Sequence, residues 1–358
     1  MDPILPVLFI LLFSYLVVRM PFFQKSGVPL TINIAFLWLK FIAGYLMYFI
    51  YTEYYTDRST ADIFKFFDDA TVLYNAASDD PSSFLRLFFG VSGGDTDAIV
   101  SEMNHWSSRH NNEFYNAHAM IRWNTLVMFI SQGNFHVHHL AMSFMSFAGL
   151  IALFKVVSRR LEHGKGIYLL LLALLPSLWF WGSGPLKEGL VLFFFGIALL
   201  NIDRIRTHGW HWRPSLWSAL CLFGIFMTKQ YIFLAFVPAM ALLLWLRDEQ
   251  SLRKEALRFG IVSLVIVLGA FSLGRISSSL NLPNIIAQKQ QDFVNVAKGG
   301  IYLETKEIVA YLPYSNKDVV IEQDSLRMIR EGATFIYWQK GVAKRDTLEG
   351  TGDGSTLY

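Results

Sequence analysis

Only one cysteine, Cys221, occurs in 358 residues, and it sits in an apolar run. An intrachain disulfide, a thiolate metal cluster and dithiol redox chemistry are therefore excluded. Charge is scarce too: 16% of the residues are charged, against about 25% in ordinary soluble domains. The net charge is +3 with the cations scattered, so no basic face for nucleic acid is present. The chain also lacks a glycine-rich nucleotide loop, a zinc spacing, a nucleophile elbow, a long repeat and a low-complexity tract.

What it has is apolar sequence, 53% hydrophobic and 16% aromatic, which predicts an all-α, polytopic transmembrane helix bundle of about eight spans. Ile4 to Val18 is followed, not preceded, by Arg19 and Lys25, the reverse of a secretory signal, and reads as a first span with its N-terminus outside. The second lies within Val28 to Tyr51; its Lys40 is expensive at mid-membrane, so the span is expected to begin near Ile34, tilt, and let the lysine snorkel inward. Ala119 to Ile130 is short and is broken by Ser-Gln-Gly-Asn at 131–134 before Val137 to Val157 crosses inward. Two hairpins follow. In the first, Ile167 to Trp181 and Gly189 to Ile202 flank Gly182-Ser183-Gly184-Pro185; in the second, Leu216 to Met227 and Tyr231 to Leu246 flank Thr228-Lys229-Gln230. Phe259 to Leu273 makes the last crossing. Arg159, Arg160, Lys165, Arg204, Arg206, Arg213, Arg247, Arg253, Lys254 and Arg258 then fall in inner loops, which is self-consistent with cation-rich loops on the cytoplasmic side.

Residues 1–274 form the expected bundle. Within them, 52–118 is an acidic extracytoplasmic loop containing short amphipathic helices, one over Ser82 to Phe89, and a turn over Val91 to Asp97. Residues 275–358 hold no span; a helix-like stretch runs from Pro283 to Ala297, and a flexible terminus is expected over Gly350 to Ser355.

The stretch Tyr54 to Tyr74 organises the candidate site. Asp62 and Asp69 are seven apart, which on a helix puts them two turns along one face, while Phe64, Phe67, Val72 and Leu73 line an apolar side. Asp62 also suits an N-cap, and Asp68 and Asp69 suit a solvated surface. Arg122, the Lys187 and Glu188 pair in the first hairpin turn, and Lys229 in the second share the outer surface with these carboxylates. Carboxylates beside cations suit reaction on a lipid phosphate: Asp69 or Asp68 takes a proton from the attacking hydroxyl, Asp62 orients or holds a divalent metal, and Arg122, Lys187 and Lys229 bind the leaving phosphate. Lys187 with Glu188 also reads as a turn-level ion pair and Lys229 as a snorkelling lysine.

Six histidines lie between 105 and 139 (His105, His110, His118, His136, His138, His139), and His136 and His139 have an i, i+3 ligand spacing. With no acidic ligand at matching spacing they read more readily as interfacial anchors. Trp179, Trp181, Trp210, Trp212 and Trp217 read as an interfacial belt.

Through Asp68-Asp69 in the first large outer loop, the layout resembles the GT-C superfamily of polytopic glycosyltransferases. Tyr54-Tyr55 with Asp62 and Asp69, Ile121-Arg122-Trp123-Asn124, Pro176 to Glu188 and Lys289-Gln290-Gln291-Asp292-Phe293 also resemble multi-pass membrane proteins of Bacteroidetes type. The superfamily resemblance implies a bacterial inner-membrane enzyme transferring a sugar from a polyprenyl-phosphate donor to a glycan or lipid acceptor on the extracytoplasmic side, in cell-envelope glycan synthesis, with an aspartate in this loop as the catalytic residue. Two departures stand out: the acidic pair comes well after the second span, and the chain carries no further helices or globular domain. A polysaccharide or O-antigen polymerase, which would rely on cations over carboxylates, is the nearest rival. A transporter, which would be favoured by a buried Lys40 with a polar partner, and a structural subunit are the non-enzymatic alternatives.

Overall fold

The computed structural model describes residues 3–55, 58, 61–91, 93–103, 106, 116–245, 252–273 and 290, together with strands inside 301–348. The body is helical: α1 (Ile4–Arg19), α2 (Pro21–Gln24), α3 (Leu30–Phe49) with a π-turn over Ile50–Tyr54, α4 (Asp62–Asp79), α5 (Pro81–Phe88), α6 (Thr96–Glu102), α7 (Asn116–Ser131), α8 (Phe135–Ser158), α9 (Lys165–Leu174), α10 (Pro176–Phe180), α11 (Lys187–His208), α12 (Trp212–Thr228), α13 (Gln230–Trp245) and α14 (Leu252–Leu273). Further on, β1 to β6 pair by backbone register as three antiparallel hairpins: Ile301–Glu304 with Val309–Leu312, Val320–Glu322 with Ser325–Arg327, and Ala333–Gln339 with Val342–Leu348. The stretches expected over Pro283 to Ala297 and Gly350 to Ser355 lie outside the described residues.

Among the described residues two helices, Leu30–Tyr54 and Phe135–Ser158, are long and apolar enough to cross a membrane. α1, α9, α13 and the central part of α14 are shorter apolar helices. Where the sequence suggests one crossing from Ile167 to Trp181, the chain breaks into α9 and α10. Pro176 has no N–H to continue the ladder, and Leu175 before it is extended (ψ 109°). The break at 131–134 forms as expected, with Gln132 and Gly133 at positive φ and the Asn134 side chain accepting from the His136 N–H at 3.0 Å to start α8.

α8 is the central element. Phe135 at its start belongs to an apolar cluster with Phe64, Phe67, Ile121, Leu186 and Leu190, while its far end carries Arg159 and Arg160 bound to Asp203 of α11 at 3.0 and 2.6 Å. Because α11 likewise starts in that cluster and ends at Asp203, α8 and α11 run parallel. They touch main chain to main chain through Gly149 and Gly196, the close approach that small residues permit. A second cluster, including Phe23, Leu37, Phe41 and Phe147, joins α1, α3 and α8.

The segment from Leu178 to Leu186 is wedged against α3 and α8. Gly182 to Leu186 is buried, and irregular backbone there needs donors from elsewhere. α8 supplies them: Ser146 Oγ donates to the Gly182 carbonyl at 2.5 Å and Ser143 Oγ to the Ser183 carbonyl at 3.1 Å. α3 adds Lys40, whose Nζ donates to the Leu178 and Trp179 carbonyls at 3.2 and 3.4 Å. Lys40 has no exposed surface, so it braces the broken hairpin and does not snorkel.

Candidate functional site

α4 is set by its apolar spacing. Ile63, Phe64, Phe66, Phe67, Ala70, Leu73 and Ala76 are buried, and Asp69 is buried among them at 1% exposure. Asp62 has the opposite environment, exposed in the first turn with Lys65 at 3.6 Å. The expected common face is thus split: Asp62 stands outside at the helix start, and Asp69 lies inside where α7 packs on α4. Asp62 is not the N-cap either, since Ala61 holds that position without a side-chain bond. Asp68 lies on the rim. Arg58 grips it through both carboxylate oxygens, Nε to Oδ2 at 3.0 Å and the second guanidinium nitrogen to Oδ1 at 2.5 Å, and also lies over the Phe64 ring at 4.2 Å. Arg58 stands ten residues before Asp68 with no periodic relation to it, which hides it from pattern reasoning.

The first hairpin turn reaches α4. Lys187 Nζ sits 5.1 Å from the centre of the Phe66 ring, a cation–π approach. Glu188 pairs across to Lys229 of the second turn at 2.5 Å, replacing the expected pairing with its neighbour Lys187. Burial works against the Lys229 ammonium, yet the hydrogen bond and charge of Glu188 outweigh it and raise its pKa above 10.5. Lys187, Glu188 and Lys229 therefore form one group at the start of α11.

Arg122 occupies another part of the rim, where α7 meets the end of α5. Its guanidinium lies 5.3 Å from the Trp106 ring and donates to the Leu87 carbonyl at 3.5 Å, while Nε is buried with no hydrogen bond. Among the described residues no carboxylate pairs with it. Burial lowers its pKa to about 10, which leaves it cationic at neutral pH. Trp106 is stacked on His118 at 4.1 Å. Arg122 and Lys187 border the same apolar cluster without touching each other: Trp106, Ile121, Phe66 and Leu186 all belong to it.

Of the histidines, His136 Nδ1 and His139 Nε2 meet at 3.3 Å, whereas His138 bonds Ser131 Oγ and Asn124 Oδ1, each at 2.8 Å. His105 and His110 lie outside the described residues. Asp62 and Asp69 face different environments, and among the described residues no group of three potential metal ligands converges.

No family model, curated protein or solved structure matches this chain.

Proposed function

We propose that the protein is a multi-pass inner-membrane enzyme that transfers a sugar from a polyprenyl-phosphate donor, working on the extracytoplasmic side in cell-envelope glycan synthesis. The observation that carries the reading is the apolar cluster around α4 whose rim holds Asp68, Arg122, Lys187 and Lys229. A greasy floor suits a polyprenyl chain, and a half-buried guanidinium with no carboxylate partner among the described residues suits its phosphate. Membrane embedding draws support from the two long apolar helices and from outward-facing side chains such as Ile4, Leu11, Ile167, Leu174, Leu264 and Phe271, each more than half exposed.

Asp68 is the partly exposed carboxylate on the rim of that cluster, and it is assigned as the base. It accepts the proton of the acceptor hydroxyl as that oxygen bonds to the anomeric carbon. The sugar–phosphate C–O bond breaks, and the phosphate leaves with the electron pair toward Arg122 and Lys187. Arg58 pairs with Asp68 until the acceptor displaces it. Asp69, closed off in the core, holds α4 in place. Purified protein in vesicles with a polyprenyl-phosphate sugar is the assay: Asp68→Asn is expected to lower turnover by about 10²–10⁴ fold, and Arg122→Gln to raise KM for the donor. Full transfer by Asp68→Asn would sink the proposal.

One observation favours a transporter instead. The broken hairpin with a fully buried Lys40 on its carbonyls has the form of an interrupted helix that lines a substrate path. Under that reading Lys40→Met stops solute flux into vesicles; under the enzyme reading no flux exists to be stopped.

A further inference from the structure

At the opposite end of α8 and α11, Arg159 and Arg160 hold one carboxylate, Asp203, and Lys155 and Arg204 stand close by. Arg159 and Arg160 bind Asp203, which is 3% exposed, yet their own side chains remain 49% and 43% exposed. Arg204 is exposed and bonded only to Asn201 Oδ1 at 3.4 Å. Lys155 donates to the Phe22 carbonyl at 2.8 Å and lies within reach of the charges of Arg204 and Arg159. Glu162 in the adjacent loop is exposed and shows no ion pair. The four cations repel one another, and among the described residues Asp203 is the one carboxylate paired with any of them.

The neighbouring surface is apolar in a directional way. α9 starts at this end with Lys165 and packs on α8 through Tyr168 stacked on Phe154 at 5.9 Å. Its outer stripe, Ile167, Leu170, Leu171 and Leu174, is 54–67% exposed and runs away from the cations. Trp210 and Trp212, 75% and 61% exposed, belong to the same end, with Arg213 over the Trp212 ring at 5.3 Å. Cations adjoining an aliphatic stripe follow the order of chemistry along a phospholipid.

We infer that this corner is a seat for an anionic phospholipid, its phosphodiester held by Arg159, Arg160 and Arg204 and one acyl chain laid along the outer face of α9. The inference rests on the membrane reading above, though not on the sugar transfer. The lipid supplies further negative charge, and the occupant is a lipid and not a free anion because the apolar stripe adjoins the cations.

The test is thermal unfolding of the full chain in neutral detergent with phosphatidylglycerol, phosphatidylcholine or inorganic phosphate added at equal concentration. Phosphatidylglycerol near saturation is expected to raise Tm by about 5 °C, with little change from the other two. Arg204→Gln and Lys165→Gln, both at exposed positions, are expected to melt like the parent without lipid; Arg204→Gln loses more than half of the phosphatidylglycerol shift and Lys165→Gln part of it. Equal shifts with phosphatidylcholine, a full shift with inorganic phosphate, or an undiminished shift in Arg204→Gln overturns the lipid seat. The membrane reading fails separately, if the chain is released from membranes by carbonate washing.

Discussion

Gly149 and Gly196 meet where α8 lies along α11, each so close to the other's helix that an added Cβ would fall inside main-chain van der Waals space. Neither neighbour is a flexible side chain that can swing aside. The helices themselves must separate.

Gly149→Ala and Gly196→Ala are each expected to destabilise the protein by about 1–3 kcal/mol or more, through overpacking, despite alanine's better helix propensity. Gly260→Ala, where the space is open, is the control and is expected to leave Tm unchanged or raise it. Thermal unfolding of the three variants decides it.

Ser146 Oγ donates to the Gly182 carbonyl from outside the turn. Ser146→Ala is expected to cost about 1–2 kcal/mol by leaving a buried carbonyl short of a partner. Hydrogen exchange is expected to rise locally over 182–186, with the end of α8 unaffected.

Asp62, Asp68 and Asp69 of α4 are expected to behave differently. Asp62→Asn, at an exposed site with a 3.6 Å pair, changes stability by less than about 0.5 kcal/mol and leaves turnover intact. Asp68→Asn loses turnover with the fold intact. Asp69→Asn, at a site 1% exposed, lowers Tm as well as turnover. Circular dichroism melts beside the sugar-transfer assay separate the three outcomes.

Lys229 gives a pH signature. Its pKa is raised in the folded chain by Glu188, against the opposing effect of burial. The stabilisation is therefore complete below the free lysine value of 10.5 and is lost as pH climbs through the higher folded value. Melts between neutral pH and about pH 11.5 are expected to show a steeper alkaline loss for the parent than for Glu188→Gln. Parallel curves would remove the pair from the stability of the turn.

Much of the fold was legible because it depends on local chemistry. The turn at 131–134 and the joint between α12 and α13 follow from breakers flanked by apolar runs. The division of Ile167 to Trp181 was marked by Pro176, yet a single apolar run overshadowed it. What could not be read depends on partners far along the chain. Lys40 looks like a snorkelling lysine until carbonyls some 138 residues away come to meet it. Asp62 and Asp69 share a helical phase, and only the packing of α7 and the Leu186 turn against α4 tells which is covered. Glu188 has an adjacent cation in sequence and pairs instead with one 41 residues on.

The parallel course of α8 and α11 has an electrostatic consequence. Peptide dipoles add along each helix, giving about half a positive charge at each N-terminus and half a negative charge at each C-terminus. Two helices aligned in this way present both positive poles beside the cluster holding Lys187 and Arg122, and both negative poles to Arg159, Arg160 and Arg204. The bundle is thus polarised end to end: its backbone field attracts anions at the α4 end and offsets part of the cationic excess at the other.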